Sequence, residues 1–377
     1  MCPAVDDAST QRAVPRLELP RPTGRHAVGV RTAHLVDHDR DDPFRPGQPR
    51  ELMVQLWYPA QEDPSAVVDH YVPPTVAGLL LDWWEVEPNG SGLTRDEVAA
   101  VVLHGVGGAP LAPAARDCPL VLLSPGHGQY RACLTSLGED LASRGFLVAS
   151  IDHPADAVGV EFPDGRVVDY REPDGLEKGD NNDLSTRYLR TRVADVRFAL
   201  DRLTDPAYWW SGHLNSSKIG IAGHSLGGAT AAEAMRLDPR VVVGANVDGT
   251  PYGEVLEAGL DRPFLIVQLS TDDPEFPEEP QARAQLWNGL RGWRRHMVVS
   301  GAGHMSATDL DVLAGPLGIR ECADEEDEFA FGTLARGRGI EITRACLGAL
   351  FEHHLLDREH PLLDAPSSLY PEIELSG

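Results

Sequence analysis

Lys218-Ile-Gly-Ile-Ala222, followed at once by Gly223-His224-Ser225-Leu226-Gly227, is the stretch on which the reading of this chain turns. A short apolar run leads into a tight turn, and a helical stretch of small residues continues from Gly228 to Leu237. Strand, turn and helix form the context in which G-x-S-x-G holds a serine at a strained backbone position, exposed at the top of a sheet. The flanking glycines are needed because a side chain two residues before or after the serine would collide with the neighbouring strand or helix. The pentapeptide alone is a common pattern; the strand before it and the helix after it give it weight.

Working outward, the chain reads as alternating strands and helices. Val28 to Val36 and Glu51 to Trp57 form an opening antiparallel pair, the second with apolar and polar residues in alternation. Pro119 to Leu123, Gly145 to Ile151, Lys218 to Ala222, Val241 to Val247, Pro263 to Leu269 and Arg295 to Val299 follow as short apolar strands. Helices are expected at Cys133 to Arg144, Ser185 to Leu203, Gly228 to Leu237, Gln281 to Leu290 and Ile340 to His354. Continuous apolar strands separated by helices imply a mostly parallel, eight-stranded sheet covered on both faces, an α/β architecture. Residues 1–25 read as a loose N-terminal segment and residues 26–377 as one domain. Two stretches break the alternation, at 71–117 and 155–183. Each is too long for a plain connection, so both are expected to be lid-like insertions or pocket walls.

With 377 residues, 42% hydrophobic and 24% charged, the chain has an ordinary globular composition. Its formal net charge of −25 argues against nucleic acid or an anionic membrane surface as partner, because both require clustered Lys and Arg. The first 25 residues show no apolar secretory core, and no apolar run is long enough to span a bilayer. The cytoplasm is therefore the expected compartment, with no integral membrane association. Cys2, Cys118, Cys133, Cys322 and Cys346 lack C-x-x-C spacing and nearby histidine pairs. Neither a disulfide framework nor a metal site is expected, and no cofactor.

A serine hydroxyl becomes a nucleophile when a base takes its proton, and the base needs a carboxylate to hold its tautomer. For this architecture the chain order is serine, acid, histidine. His304, in Ser300-Gly-Ala-Gly-His-Met305, lies in a glycine-rich loop directly after a strand, at the same rim of the sheet as Ser225. His296 sits within that strand, and His353 and His354 on a late helix. For the acid, Asp248 at the end of Val241 to Val247 and Asp272 or Asp273 after Phe264 to Leu269 are both placed to reach His304. Oxyanion donors are expected from the amide of Leu226 and from the loop Ser124-Pro-Gly-His-Gly-Gln129. Within that loop the amide of His127 is favoured by position, with Gly126 and Gly128 as alternatives that also border substrate. Tyr130, His224, Tyr252 and Met305 are the remaining candidate substrate contacts, joined by Trp83 and Trp84 as apolar candidates. Asp152 and His153, after the fourth strand, either line the site or, the reading favoured, form a satisfied turn pair.

Together these residues resemble the plasma-type platelet-activating-factor acetylhydrolase family of α/β-hydrolases, in particular its bacterial members. The matching pieces are Leu-Met-Val-Gln-Leu-Trp-Tyr-Pro (52–59), Leu-Leu-Ser-Pro-Gly-His-Gly (122–128), Leu-Ala-Ser-Arg-Gly-Phe-Leu-Val-Ala-Ser-Ile-Asp-His-Pro (141–154), Gly-His-Ser-Leu-Gly-Gly (223–228), Asn-Val-Asp-Gly-Thr-Pro-Tyr-Gly (246–253) and Gly-Ala-Gly-His (301–304). The resemblance implies an α/β-hydrolase fold, Asp248 as the acid, and the amides of His127 and Leu226 as oxyanion donors. It further implies a serine esterase that cleaves a small-molecule acyl ester, short-chain or phospholipid-like, through an acyl-enzyme. Pro125 departs from the family, which commonly has histidine there. The same machinery could also serve an acyltransferase, cyclase or thioesterase in a biosynthetic pathway. No oligomeric state follows from the sequence.

Overall fold

The computed structural model describes residues 17–62, 70–84, 94–171, 181–269, 277–317 and 329–377. Its strands are β1 (Ala27–Asp41), β2 (Pro49–Ala60), β3 (Val106–Gly107), β4 (Cys118–Ser124), β5 (Leu147–Ile151), β6 (Gly159–Glu161), β7 (Val167–Asp169), β8 (Leu214–His224), β9 (Val241–Val247), β10 (Phe264–Gln268), β11 (Arg294–Val299) and β12 (Ile373–Ser376). Ten of them form one sheet in the order β12-β11-β10-β9-β8-β4-β5-β2-β1-β3. From β5 through β11 the neighbours run parallel. β2 joins β5, and β1 joins β2, in antiparallel pairing. This is the α/β-hydrolase fold.

The eight expected strands make up the continuous middle of the sheet. Two edge strands extend it to ten. β3 pairs with β1 through only two residues, and β12 closes the opposite edge against β11. Elements of two and four residues leave no periodicity to read, so their pairing is a tertiary event. β6 and β7 form a separate hairpin within the second insertion.

β4 illustrates how the apolar runs become central strands. All seven of its residues are buried. Side chains alternate between faces, and the two faces enter different cores. Val121 and Leu123 share a cluster with Leu137 and Leu141 of α3 (Thr135–Arg144) and with Leu347 and Leu350 of the C-terminal helix Arg338–Leu356. Leu120 and Leu122 belong to the opposite cluster, with Val196 and Leu200 of α4 (Asn181–Leu203) and Ala231 of α5 (Leu226–Leu237). Each fully buried leucine or valine contributes about 1.5–3 kcal/mol, which is what keeps both helical layers in place.

The chain passes from β4 outward to β5 on one side and then returns to β8 on the other. The loops after β4 and β8 therefore diverge and leave a crevice at their C-terminal ends, where open α/β sheets bind ligands. The first insertion contributes α1 (Pro74–Trp83) and the short α2 (Arg95–Ala99), the latter started by a Thr94–Glu97 capping box. Among the described residues, no helix is long and apolar enough to cross a membrane.

Candidate active site

β8 ends at His224, and α5 begins at Leu226, so Ser225 alone makes the turn. Its backbone has φ 55° and ψ −128°, a conformation that side-chain-bearing residues rarely adopt. Its N–H donates to the Val247 carbonyl at 2.9 Å. The turn is possible because its neighbours approach closely. A Cβ on Gly223 would lie 2.0 Å from the Gly227 carbonyl oxygen, and one on Gly227 would lie 1.9 Å from that of Ser124. Leu226 is the first residue of α5, so its N–H has no acceptor one turn back within the helix.

His304 opens a single 3₁₀ turn after β11. Its Nδ1 lies 2.8 Å from Asp248 Oδ2, and the other carboxylate oxygen of Asp248 accepts the Leu269 N–H at 2.6 Å. The Asp248 side chain is almost wholly buried, with 1% of it exposed, whereas the His304 ring is 19% exposed. An imidazole that donates Nδ1–H to a carboxylate keeps Nε2 as a free acceptor, the form a general base requires. Asp248 also has positive φ, at 52°. The Asn246 side chain holds that turn, accepting the Gly249 N–H at 2.8 Å and donating to the Gly249 carbonyl at 2.9 Å. The alternative acids, Asp272 and Asp273, lie outside the described residues.

His224 packs its ring beside that of His304, with centroids 4.6 Å apart. Burial, reinforced by the neighbouring His304, pushes its imidazole down to about 3. Its Nε2–H donates to the His304 carbonyl at 2.7 Å, and its Nδ1 lies 3.1 Å from Gln129 Oε1. The Phe329 ring also stacks on His304, at 5.5 Å and 17°.

The loop after β4 runs against the elbow: a Cβ on Gly126 would sit 3.0 Å from Ser225 Cβ. Gln129 ties the loop, accepting the Gly126 N–H on Oε1 at 2.9 Å while its own N–H reaches the Gly126 carbonyl at 3.2 Å. Gly128 has φ 69°, and its carbonyl accepts the Val158 N–H at 3.0 Å, joining the loop to the second insertion. From the first insertion, the Trp83 ring covers Gly128, where an added Cβ would come within 2.6 Å of it. Tyr170 of the second insertion meets Trp83 edge-on at 5.2 Å and His127 at 5.4 Å.

The other candidate contacts differ widely in exposure. His224 and Tyr130 are 1% and 3% exposed. Tyr130 packs edge-on against Tyr71. Tyr252 is 9% exposed and lies in the apolar cluster under α4 and α5. Met305 is half-buried, its sulfur 3.4 Å from the Gln129 side-chain nitrogen. The His127 side chain is exposed and its Nδ1 meets Asp156 at 3.1 Å. Asp152 pairs with Arg131.

His153 sits between Ser124 Oγ at 3.1 Å and Asp195 at 3.0 Å. Arg50, itself fully buried, grips the same Asp195 carboxylate through Nε and Nη2. That Ser124–His153–Asp195 chain is fully enclosed and braces the start of the loop. Sequence reading missed Arg192 and Asp156, which form a second buried pair below the loop. The only available signal was a charged residue on the core-facing stripe of a helix.

The family model for platelet-activating factor acetylhydrolase, isoform II, matches residues 12–162. A probable 1-alkyl-2-acetylglycerophosphocholine esterase of Arthroderma benhamiae is 25% identical, over 99% of this chain and 97% of its own length. The platelet-activating factor acetylhydrolase of Canis lupus familiaris is 22% identical, over 79% of this chain and 70% of its own. A solved ferulic acid esterase from Streptomyces cinnamoneus superposes with TM-score 0.83 at 38% identity, covering 96% of this chain and all of that one. The chain belongs to the platelet-activating factor acetylhydrolase family of α/β-hydrolases. Like its relatives in that family, it is a carboxylic ester hydrolase.

Proposed function

We propose that Ser225 is the nucleophile, His304 the general base and then general acid, and Asp248 the carboxylate that orients the imidazole. The observation that carries this reading is the 2.8 Å contact between His304 Nδ1 and Asp248, at the same sheet rim as the strained Ser225. Ser225 Oγ attacks the ester carbonyl carbon while its proton passes to His304 Nε2. The negative charge that develops on the carbonyl oxygen is received by the N–H groups of Leu226 and His127. Collapse breaks the bond to the alkoxy oxygen, and His304 returns the proton to the departing alcohol. Water, deprotonated by His304, then attacks the acyl-enzyme and releases the carboxylic acid and free Ser225.

The substrate class we propose is a small acyl ester. Acetyl esters are suggested by the names of the relatives, and an aromatic acyl group by the ferulic acid esterase. Trp83, Tyr170 and Phe329 support the second possibility by offering rings beside the Gly126–Gly128 loop and His304. The two insertions would then act as walls of the acyl site, with Gly126, Gly128 and Met305 as substrate contacts. Free, buried thiols at Cys118, Cys133 and Cys346 fit a reducing, cytoplasmic setting.

The test is hydrolysis of p-nitrophenyl esters from acetyl to dodecanoyl, together with methyl ferulate, by the wild type and by Ser225→Ala. Loss of all turnover in the variant is expected, and the preferred ester sizes the acyl site. Turnover that survives Ser225→Ala would overturn the assignment of the nucleophile.

A further inference from the structure

The buried pair below the loop bears on how the oxyanion donors are aimed. Arg192 lies on α4 with 1% of its side chain exposed. Its Nη2 donates to the Gly126 carbonyl at 2.9 Å and to Asp156 Oδ1 at 2.7 Å, its Nη1 to the Pro125 carbonyl, and its Nε to Asp156 Oδ2. A guanidinium holds these donors in one rigid plane, so two successive loop carbonyls and one carboxylate are locked together. Arg192 and His127 press the Asp156 carboxyl well below the usual carboxylate range, against the effect of burial.

The peptide unit joining Gly126 to His127 is planar and trans, so its N–H points opposite to its C=O. Holding the Gly126 carbonyl on Arg192 therefore sends the His127 N–H the other way. Gly126 itself lies against Ser225, where an added Cβ would sit 3.0 Å from Ser225 Cβ. A positive charge on the carbonyl end of the same unit also polarises it and makes its N–H a stronger donor. Stability alone is a weak reason for the pair, because a buried ion pair is roughly matched by apolar residues of the same volume.

We propose that Arg192 is a positioning residue for ester hydrolysis, directing and polarising the His127 N–H through the Gly126 carbonyl. The inference rests on the reading of that N–H as an oxyanion donor and of Ser225 as the nucleophile.

Arg192→Lys keeps the charge beside Asp156 and loses the planar fork. Its kcat should fall by about 10- to 100-fold, somewhat less than for outright removal of an oxyanion donor. KM should stay within about threefold, the signature of an interaction made only in the transition state. The Ki of an alkyl trifluoromethyl ketone, whose serine adduct carries the oxyanion, should rise by the same factor as kcat/KM falls. A purely structural role would lower the melting temperature and the active fraction without moving that Ki. An unchanged kcat, a loss confined to KM, or an unchanged Ki overturns the inference. If Arg192→Lys does not fold, Asp156→Asn, which loosens the guanidinium at constant shape, is judged by the same three readings. Ser225→Ala is run in parallel: if it remains active the nucleophile assignment fails, whereas an inactive Ser225→Ala beside a fully active Arg192→Lys defeats only the role of Arg192.

Discussion

Ser225 is kept at φ 55° by hydrogen bonding and close packing around it rather than by its own preference. Such a conformation costs a side-chain-bearing residue about 1–3 kcal/mol. Ser225→Gly, which removes the Cβ from the strained position, should therefore raise the melting temperature by about 2 °C while abolishing turnover. A scanning calorimetry trace with no rise would show that the strain is not stored there. The carboxylate of Asp248 accepts His304 Nδ1–H on one oxygen and the Leu269 N–H on the other. Asp248→Asn puts an amide N–H where one of those donors arrives, favouring the wrong imidazole tautomer. A fall in kcat of about 10⁴-fold is expected, as for the same change in a serine protease triad. Steady-state kinetics with p-nitrophenyl acetate measures it, and a loss below tenfold would point to another acid. Ser225 and His304 were legible from local sequence because each stands in a glycine-bearing turn after an apolar strand. Asp248 needed the family resemblance to separate it from Asp272, since both follow strands that neighbour each other.

Elements meet at this site with no spare room. Gly227, in the first turn of α5, faces the Ser124 carbonyl at a distance that leaves no space for a methyl group. Gly227→Ala must push α5 off β4, and a destabilisation of at least about 3 kcal/mol is expected, at the upper end for overpacking. Urea unfolding measures it. α3 carries a different kind of coupling. Glu139 is fully buried, and its Oε1 accepts the N–H groups of Gly105 and His104 at 2.6 and 3.0 Å. Burial pushes its carboxyl up to about 7 from 4.5, against the pull of those two bonds. Between those two values the folded protein holds a proton that the unfolded chain has lost, so stability falls as pH rises through this window. Glu139→Gln, which mimics the protonated form, should flatten that decline, with a melting temperature relative to wild type that is higher at pH 8 than at pH 5. Parallel pH profiles for the two proteins would remove Glu139 as the source. The helix boundaries that the apolar pattern implied match α3, α4, α5 and the C-terminal helix to within a few residues. The two-residue β3 escaped because its pairing with β1 carries no local pattern.

At the scale of the molecule, the reversal of strand order between β4 and β8 opens the crevice into which the loops after β4, β8, β9 and β11 bring His127, Ser225, Asp248 and His304. The chain around that crevice carries a formal net charge of −25. Charge of that size repels anionic substrates over about one Debye length, ~10 Å at 0.1 M salt. For an ester with a carboxylate on its leaving group, kcat/KM should rise several-fold between 10 mM and 300 mM NaCl, while a neutral ester of the same acyl group should stay flat. Equal salt responses would mean that local charge at the site, not the whole-protein field, governs approach.

What the sequence by itself determined is what is written in short-range pattern. Continuous apolar strands specified a parallel sheet buried on both faces, and glycines flanking a serine specified a turn too tight for side chains. A histidine in a glycine-rich turn after β11 could be assigned to the rim of the sheet for the same reason. Only the tertiary structure decided which buried charges meet. Asp156 and Arg192 are 36 residues apart, and Arg50 reaches Asp195 across 145. In sequence none of them stands out from the charges around it: Arg192 and Asp195 share α4 with Arg187, Arg190 and Arg197, and Arg50 is next to Glu51. The cost of burying an unpaired charge forces such groups to find partners, but the identity of the partner depends on how the loops and α4 stack above the sheet. The same holds for His224 and Tyr130, whose place beside Ser225 and beside the loop after β4 in sequence suggested substrate contact. Packing turned both side chains inward.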